Sequence, residues 1–397
     1  MADAVGADAT AEDLILDGLV RPRPGLRGQY EALLPSTSVQ CHAANLMPLG
    51  NGDLGCVWFG GTQEGMADIS IHFSRLKPGS DCWTQARRLE DDPTRSEQNP
   101  ILFPMPDGPL MLLYTSQRSG NQDTAIVRHR SSTDHGATWS PPSTLIDTPG
   151  TFVRQPLHIG PDGEWLLPVF ACRTRPGERW TGNFDTSAVM ISRDQGRNWE
   201  QHPVPASEGC VHMNILGLRD GTLLALYRSR WADHIYASRS SDGGRTWSPP
   251  AATALPNNNA SIQATVLADG RIALVYNASS AANAPERRQS LYDEIPDDIP
   301  PVTPTAAPHA LAAPARTAFW GAPRAPLCLT LSGDKGLSWS PPQVLDVSDG
   351  YCMTNNSRDG LNRELSYPSI RQTPDGTVHI AYTYFRRAIK YLALDVV

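Results

Sequence analysis

Three arginines stand against apolar runs in this chain. Arg228 ends the run Leu223-Leu-Ala-Leu-Tyr227, Arg324 opens the stretch toward Leu327 and Leu329, and Arg154 interrupts Phe152-Val-Arg-Gln-Pro-Leu157. A guanidinium is planar and always charged, and its fork of N–H donors matches a carboxylate bidentately. Arginines placed at the ends of apolar strands are therefore candidates for function, with surface ion pairing as the alternative. Other polar groups fall at similar strand starts or ends: Gln98-Asn99, Gln155 with His158, Asn257-Asn-Asn259 and Arg386-Arg387. The ten histidines contain no His-x-x-x-His pair, and no acidic cluster has EF-hand spacing, so the sequence reads as free of a protein-ligated metal site.

The elements that must position these groups come from a repeat. The pattern Ser-x-Asp-x-Gly-x-x-Trp occurs four times, at Ser132–Trp139, Ser192–Trp199, Ser240–Trp247 and Ser332–Trp339. In each copy the Asp can hydrogen-bond its own turn, the Gly supplies a positive φ, and the Trp anchors the hairpin. Ser80-Asp-Cys-Trp83 is a degenerate fifth copy. Repeated supersecondary units of this length build solenoids or propellers.

A second signal gives the number of units. Asn51-Gly52, Asp107-Gly108, Asp162-Gly163, Asp220-Gly221, Asp269-Gly270 and Asp375-Gly376 each sit between apolar runs. Asn-Gly and Asp-Gly in that setting are strong hairpin signals. Six turns predict an all-β, six-bladed propeller, with the last blade completed by a strand from the chain's start. A seventh blade follows if residues 3–34 contribute to one. The expected organisation is an N-terminal segment at 1–34 and one propeller domain at 35–397. An Ala/Pro-rich insertion interrupts it at about 279–320, too poor in core-forming residues to pack alone. With 35 Pro and 32 Gly, helix should be scarce, apart from a short one at 11–17.

Composition limits the partners. A net charge of −7 argues against nucleic acid or an anionic membrane as the main partner. No apolar run is long enough to span a bilayer. The acidic N-terminus lacks a signal pattern, so the chain as given reads as cytoplasmic; a removed leader would make it secreted or periplasmic. Seven dispersed cysteines without a CxxC read as reduced thiols.

The four boxes resemble those of the sialidase (neuraminidase) superfamily, the BNR or Asp-box proteins, over Cys41 to Leu392. Gly50–Gly65 and Ser366–Gly376 are similar to its bacterial sialidase-like branch. The resemblance implies a propeller and chemistry on a carboxylated sugar. It makes Arg228 and Arg324 two of three carboxylate-binding arginines, Tyr367 the nucleophile, and Glu64 the acid/base, with Asp68 as second choice. Two positions depart. The segment His42-Ala-Ala-Asn45 has His where the family's first arginine stands, and Cys210-Val-His212 has His where the tyrosine-activating glutamate belongs.

Tyrosine is a poor nucleophile unless a carboxylate takes its proton. Arginine, histidine and tyrosine instead suit proton abstraction beside a sugar carboxylate. The first expectation is therefore β-elimination at a uronate, as in the similar rhamnose–glucuronate lyases. Here Arg228 and Arg324 bind the carboxylate, with help from Arg154, Asn45 and Arg386, while His42, His212 and Tyr367 move protons. The second is exo-acting retaining hydrolysis of a sialic-acid-like substrate by Tyr367 and Glu64. The third is a non-catalytic propeller that binds glycans. No organic cofactor is expected; a propeller's central channel can hold a structural Ca²⁺ on backbone oxygens. The expected partner is an acidic oligosaccharide or glycoconjugate.

Overall fold

The computed structural model describes residues 14–89, 92–118, 120–175, 177–288, 291 and 314–395. Within them six antiparallel sheets form, in chain order, and no seventh appears. Their innermost strands are Gln40–Pro48, Arg95–Pro104, Thr151–Val153, Cys210–Gly217, Gln263–Val266 and Leu365–Gln372. We call the sheets blades 1 to 6 in that order.

Five of the six Asn-Gly or Asp-Gly turns join the first two strands of a blade, and in blade 3 Asp162-Gly163 joins the short His158–Ile159 to Trp165–Ala171. Each of the four boxes joins the third to the fourth, as His234–Ser240 to Ala251–Pro256 shows. The box geometry repeats closely. Ser240 Oγ donates to Asp242 Oδ1 at 2.8 Å and accepts from Gly244 N at 2.9 Å. Asp242 Oδ1 also accepts from Thr246 N at 2.9 Å, so one carboxylate satisfies a turn that has no ladder partner.

The ring closes through the chain's start. Gln29–Leu33 pairs antiparallel with Ala388–Asp395, from Gln29 opposite Leu394 to Leu33 opposite Lys390. Residues 21–33 thus complete blade 6, not a seventh blade. The expected helix at 11–17 lies partly outside the described residues; 14–17 are not helical. Most of the insertion, 289–290 and 292–313, also lies outside them. Its described flanks dock on the propeller: Phe319 N donates to Arg230 O at 2.7 Å, and Trp320 Nε1 to Thr181 O at 3.0 Å.

Second strands such as Ile272–Asn277 are buried at every position, because a neighbouring blade covers each face. Leu267, Val275 and Leu329 of blade 5 pack with Ile370, Val378 and Ile380 of blade 6 in this way. The inner edges are stitched by side chains. Asn45 Oδ1 accepts from Leu102 N at 3.0 Å, Asn214 Oδ1 from Ala264 N at 2.6 Å, and Ser369 Oγ from Leu46 N at 2.9 Å. These bonds satisfy strand-edge donors that would otherwise be buried unpaired.

Candidate active site

Four of the six inner strands carry a kink, and the chemistry sits on it. Ladder register shifts between His42 and Asn45, Gln98 and Ile101, Val211 and Asn214, and Ser366 and Ser369. Within these bulges Ala43, Asn99, His212 and Tyr367 have φ of 61°, 51°, 54° and 53°. A bulge re-aims side chains out of the sheet plane. Left-handed backbone at a non-Gly residue costs about 1–3 kcal/mol and persists only where surroundings hold it.

Tyr367 is the centre of the arrangement. Its ring lies between His42, with centroids 4.2 Å apart, and His212, at 5.7 Å. The guanidinium carbons of Arg154, Arg228 and Arg324 lie 5.3, 5.5 and 5.7 Å from its centroid. Arg228 Nη1 donates to the Tyr367 hydroxyl and Nε to Asn259 Oδ1 at 2.8 Å, while the buried Nη2 has no partner. Burial pulls Arg228 down to about 9, with Arg230 and Arg324 adding to the effect and Tyr367 opposing it. Arg228 is thus a buried cation with an open donor and no carboxylate of its own among the described residues.

A small cavity opens beside this cluster. His212, Arg228, Arg230 and Tyr367 line one part; Glu64, Gln98, Asn99 and Gln122 line another; Phe152, Phe170 and Leu291 add apolar wall. Arg230 is fixed by Asp185, whose Oδ2 accepts from Nε at 2.9 Å and from Nη2 at 2.7 Å. Phe170, Trp180 and Trp320 surround the Arg230 guanidinium at 5.2–5.8 Å.

Behind Tyr367 lies a second polar layer, built on Glu364, Arg324, Arg386 and His42. Glu364 lies 3.2 Å from Arg324 Nη1 and 3.1 Å from Arg386 Nε, and accepts from Ser366 Oγ at 2.6 Å. Burial alone would raise its carboxyl, but Arg386, Arg324 and the Ser366 bond outweigh this and hold it below the usual range. Arg386 Nη1 also donates to Glu64 Oε2. His42 Nδ1 bonds the Thr383 hydroxyl at 2.8 Å and lies 3.6 Å from Glu364. Burial, then the nearby arginines (Arg386 foremost), push His42 well below the ordinary histidine value. Burial, followed by Arg228, does the same to His212. Both imidazoles are therefore neutral at pH 7.

The structure brings His42, His212, Tyr367 and Arg228 together and places Glu64 on the cavity wall. Other expected residues serve elsewhere. Arg324 touches the Tyr367 ring, but its fork donates to Glu364 and to Asn259 O. Arg386 is paired with Glu64 and Glu364, so neither of these arginines lines the cavity. Asn45 is a stitch between blades 1 and 2, because its carbonyl oxygen takes the Leu102 amide. Arg154 donates to the carbonyls of Ala43, Ala44, Tyr367 and Pro368 at 3.1–3.4 Å, so its fork is filled by backbone. Asp68 accepts from Thr62 N and Oγ1, both at 2.9 Å, in an exposed loop.

Arg230, Asp185 and Glu364 are site residues that the sequence reading does not single out. Arg230 had a signal, since it follows Arg228 by two residues and a strand repeats its face with that period. No group of three or more metal-ligating side chains occurs among the described residues.

Six blades, four of them carrying an Asp-box turn, around an axial arginine–tyrosine cluster define a BNR propeller. The BNR repeat-like domain family matches residues 52–380, most of the chain, and the chain belongs to that family. A protein of unknown function from Dyadobacter fermentans superposes with a TM-score of 0.67 at 16% identity, over 94% of this chain and 100% of that one. The intramolecular trans-sialidase from Ruminococcus gnavus, in complex with oseltamivir carboxylate, gives 0.61 at 12% identity, over 92% and 97%. A Hadza microbial sialidase gives 0.64 at 15% identity over 90% of this chain, which spans 66% of that protein's length. At such identities the likeness is one of fold. No curated protein matches the sequence.

Proposed function

We propose that this protein cleaves a glycosidic bond at a carboxylated sugar, by β-elimination at a uronate. The observation that carries the reading is the setting of Tyr367. Its hydroxyl receives a hydrogen bond from Arg228, and its ring lies between two neutral histidines. Among the described residues no carboxylate bonds that hydroxyl, as nucleophilic attack by tyrosine would require.

The proposed steps use these groups. Arg228, with its open Nη2, takes the uronate carboxylate, and Arg230 lies two residues on along the cavity wall. Neutralising the carboxylate acidifies the adjacent C5–H. His212 Nδ1 has no hydrogen-bond partner, and His212 lines the cavity as a neutral base. It removes the C5 proton, and the C–H electron pair becomes the C4–C5 double bond. The C4–O bond breaks, and the departing oxygen takes the Tyr367 proton. Gln98, Asn99 and Gln122 offer amides to the sugar hydroxyls. His42 stands behind Tyr367 and is not a cavity-lining group.

The test uses a rhamnose-capped glucuronate and a sialoside side by side. Ultraviolet absorbance from an unsaturated uronate is the expected result. Free sialic acid with no such absorbance would replace this reading with hydrolysis by Tyr367 and Glu64. Saturable binding of either sugar without turnover would replace it with glycan recognition.

A further inference from the structure

Arg154 has a fork of donors but no acid to give them to. It is buried near the propeller axis, and among the described residues no carboxylate pairs with it. Its Nη1 donates to Ala43 O at 3.3 Å, its Nη2 to Ala44 O and Tyr367 O at 3.1 Å each, and its Nε to Ser261 Oγ at 3.3 Å. Ala43 and Tyr367 are the left-handed residues of the bulges in blades 1 and 6. One guanidinium from blade 3 therefore clasps both bulges. The same group lies 5.3 Å from the Tyr367 ring centroid. Burial pulls Arg154 down to about 10, while Tyr367 and Cys56 hold it up. An unpaired buried charge is costly, and a well-packed apolar side chain would fill an axis more cheaply.

We propose that Arg154 is a positioning residue: it locks the backbone of Ala43 and Tyr367 in left-handed conformation, so that the tyrosine hydroxyl meets Arg228. Through the carbonyls of Ala43 and Ala44 it also sets the bulge that carries His42. Its fixed charge beneath the ring stabilises negative charge that develops on the phenol oxygen as the proton leaves. This catalytic role rests on the elimination reading; the positioning role does not.

The test compares Arg154→Lys and Arg154→Met with the wild type in the full chain. Lysine keeps the charge but cannot reproduce the fork. On the uronate substrate, kcat should fall about 100-fold in the methionine variant and less in the lysine variant, with KM within about threefold. A raised KM with kcat intact would make Arg154 a direct substrate ligand and overturn the proposal. A second readout needs no turnover. Tyrosines are replaced by 3-fluorotyrosine, and the Tyr367 fluorine resonance is assigned by its loss in Tyr367→Phe. That line should shift and broaden in Arg154→Lys, the variant chosen to keep the fold if methionine unfolds it. An unmoved line overturns the positioning role even where kcat falls. A moved line in a protein that cleaves no uronate leaves the positioning role standing and removes the elimination reading.

Discussion

Glu64 and Arg386, 322 residues apart in the chain, form one buried ion pair that ties the loop after the first hairpin to the last one. The pair decides between two roles for Glu64. As a proton donor it would be free to change charge during turnover. As a partner of the buried Arg386 guanidinium it is structural, and removing it leaves Arg386 and Arg324 to share Glu364 alone. We expect Glu64→Ala to cost about 3–5 kcal/mol of stability. Glu64→Gln with Arg386→Gln together should cost less than the sum of the single changes. A double-mutant cycle by urea unfolding measures this. If Glu64→Gln instead leaves the unfolding midpoint alone and abolishes turnover, Glu64 is the general acid.

Tyr367→Phe removes one oxygen and keeps the ring that packs on His42. Loss of a positioned proton-transfer group typically slows chemistry by about 10²–10⁴. Here kcat should fall in that range with KM nearly unchanged, because Arg228 still holds the carboxylate. Arg228→Lys should do the reverse. A single ammonium cannot serve Asn259, Tyr367 and a substrate together, so KM should rise at least tenfold. Steady-state kinetics on both variants separates the two effects. Equal loss of kcat in both would mean that Arg228 acts on Tyr367 and not on substrate.

The scaffold was legible because its signals are local. Each Asp-Gly turn and each Asp box lies within eight residues, and all of them fell at the expected strand junctions. Blade 6 was also readable, since a box-less last unit needs an edge partner. The site was legible only in part. Arg228, His212 and Tyr367 could be picked, but their neighbours across the axis come from other blades. Nothing near Arg324 in sequence announces that Glu364 will take its fork. Arg154 looked like a ligand because a charged residue in an apolar run suggests function, and Asn45 because its segment resembles the lyase branch. In a closed ring such residues also satisfy strand-edge amides and bulge carbonyls, and that need is invisible in one dimension.

Both site histidines are buried and neutral, which fixes a pH dependence. In the unfolded chain each takes a proton near pH 6.5. In the folded protein each does so only well below that value. The unfolded state therefore binds more protons in this window, and stability rises with pH across it. On acidification the protein should lose up to about 1.4 kcal/mol per pH unit per histidine, beginning near pH 6.5. His212→Asn should shallow the slope between about pH 6.5 and 5 without abolishing it, because burial also lowers His42, His129, His158 and His379. Glu364 acts in the same direction, but its window begins near the carboxylate range at about 4. Urea midpoints across pH test this. Activity should show no acid limb near 6.5, because the base stays neutral there. A limb at that pH would assign the reaction to a solvated histidine.

The box glycines separate backbone strain from packing. Gly244 has φ of +86°, and a Cβ there would lie 2.7 Å from Leu166 Cδ2 of the preceding blade. Its neighbour Gly243 has φ of +73°, but a Cβ there would meet Arg245 Nη1 at 2.8 Å. Both positions charge an L-residue for left-handed backbone, about 1–2 kcal/mol. They differ in what must move. The Arg245 tip is half-exposed and can swing aside by giving up its bonds to Asp242 O and Glu164, whereas Leu166 is fully buried between blades. Overpacking a core adds about 1–3 kcal/mol. Gly244→Ala should therefore lower stability by about 2–5 kcal/mol, and Gly243→Ala by the backbone cost plus at most about 1 kcal/mol for the displaced, partly exposed Arg245–Glu164 pair. Trp247 packs in the core between blades 3 and 4, so its fluorescence during urea unfolding follows the same interface. Equal losses in the two variants would mean that the box serves only its own turn and does not hold one blade against the next.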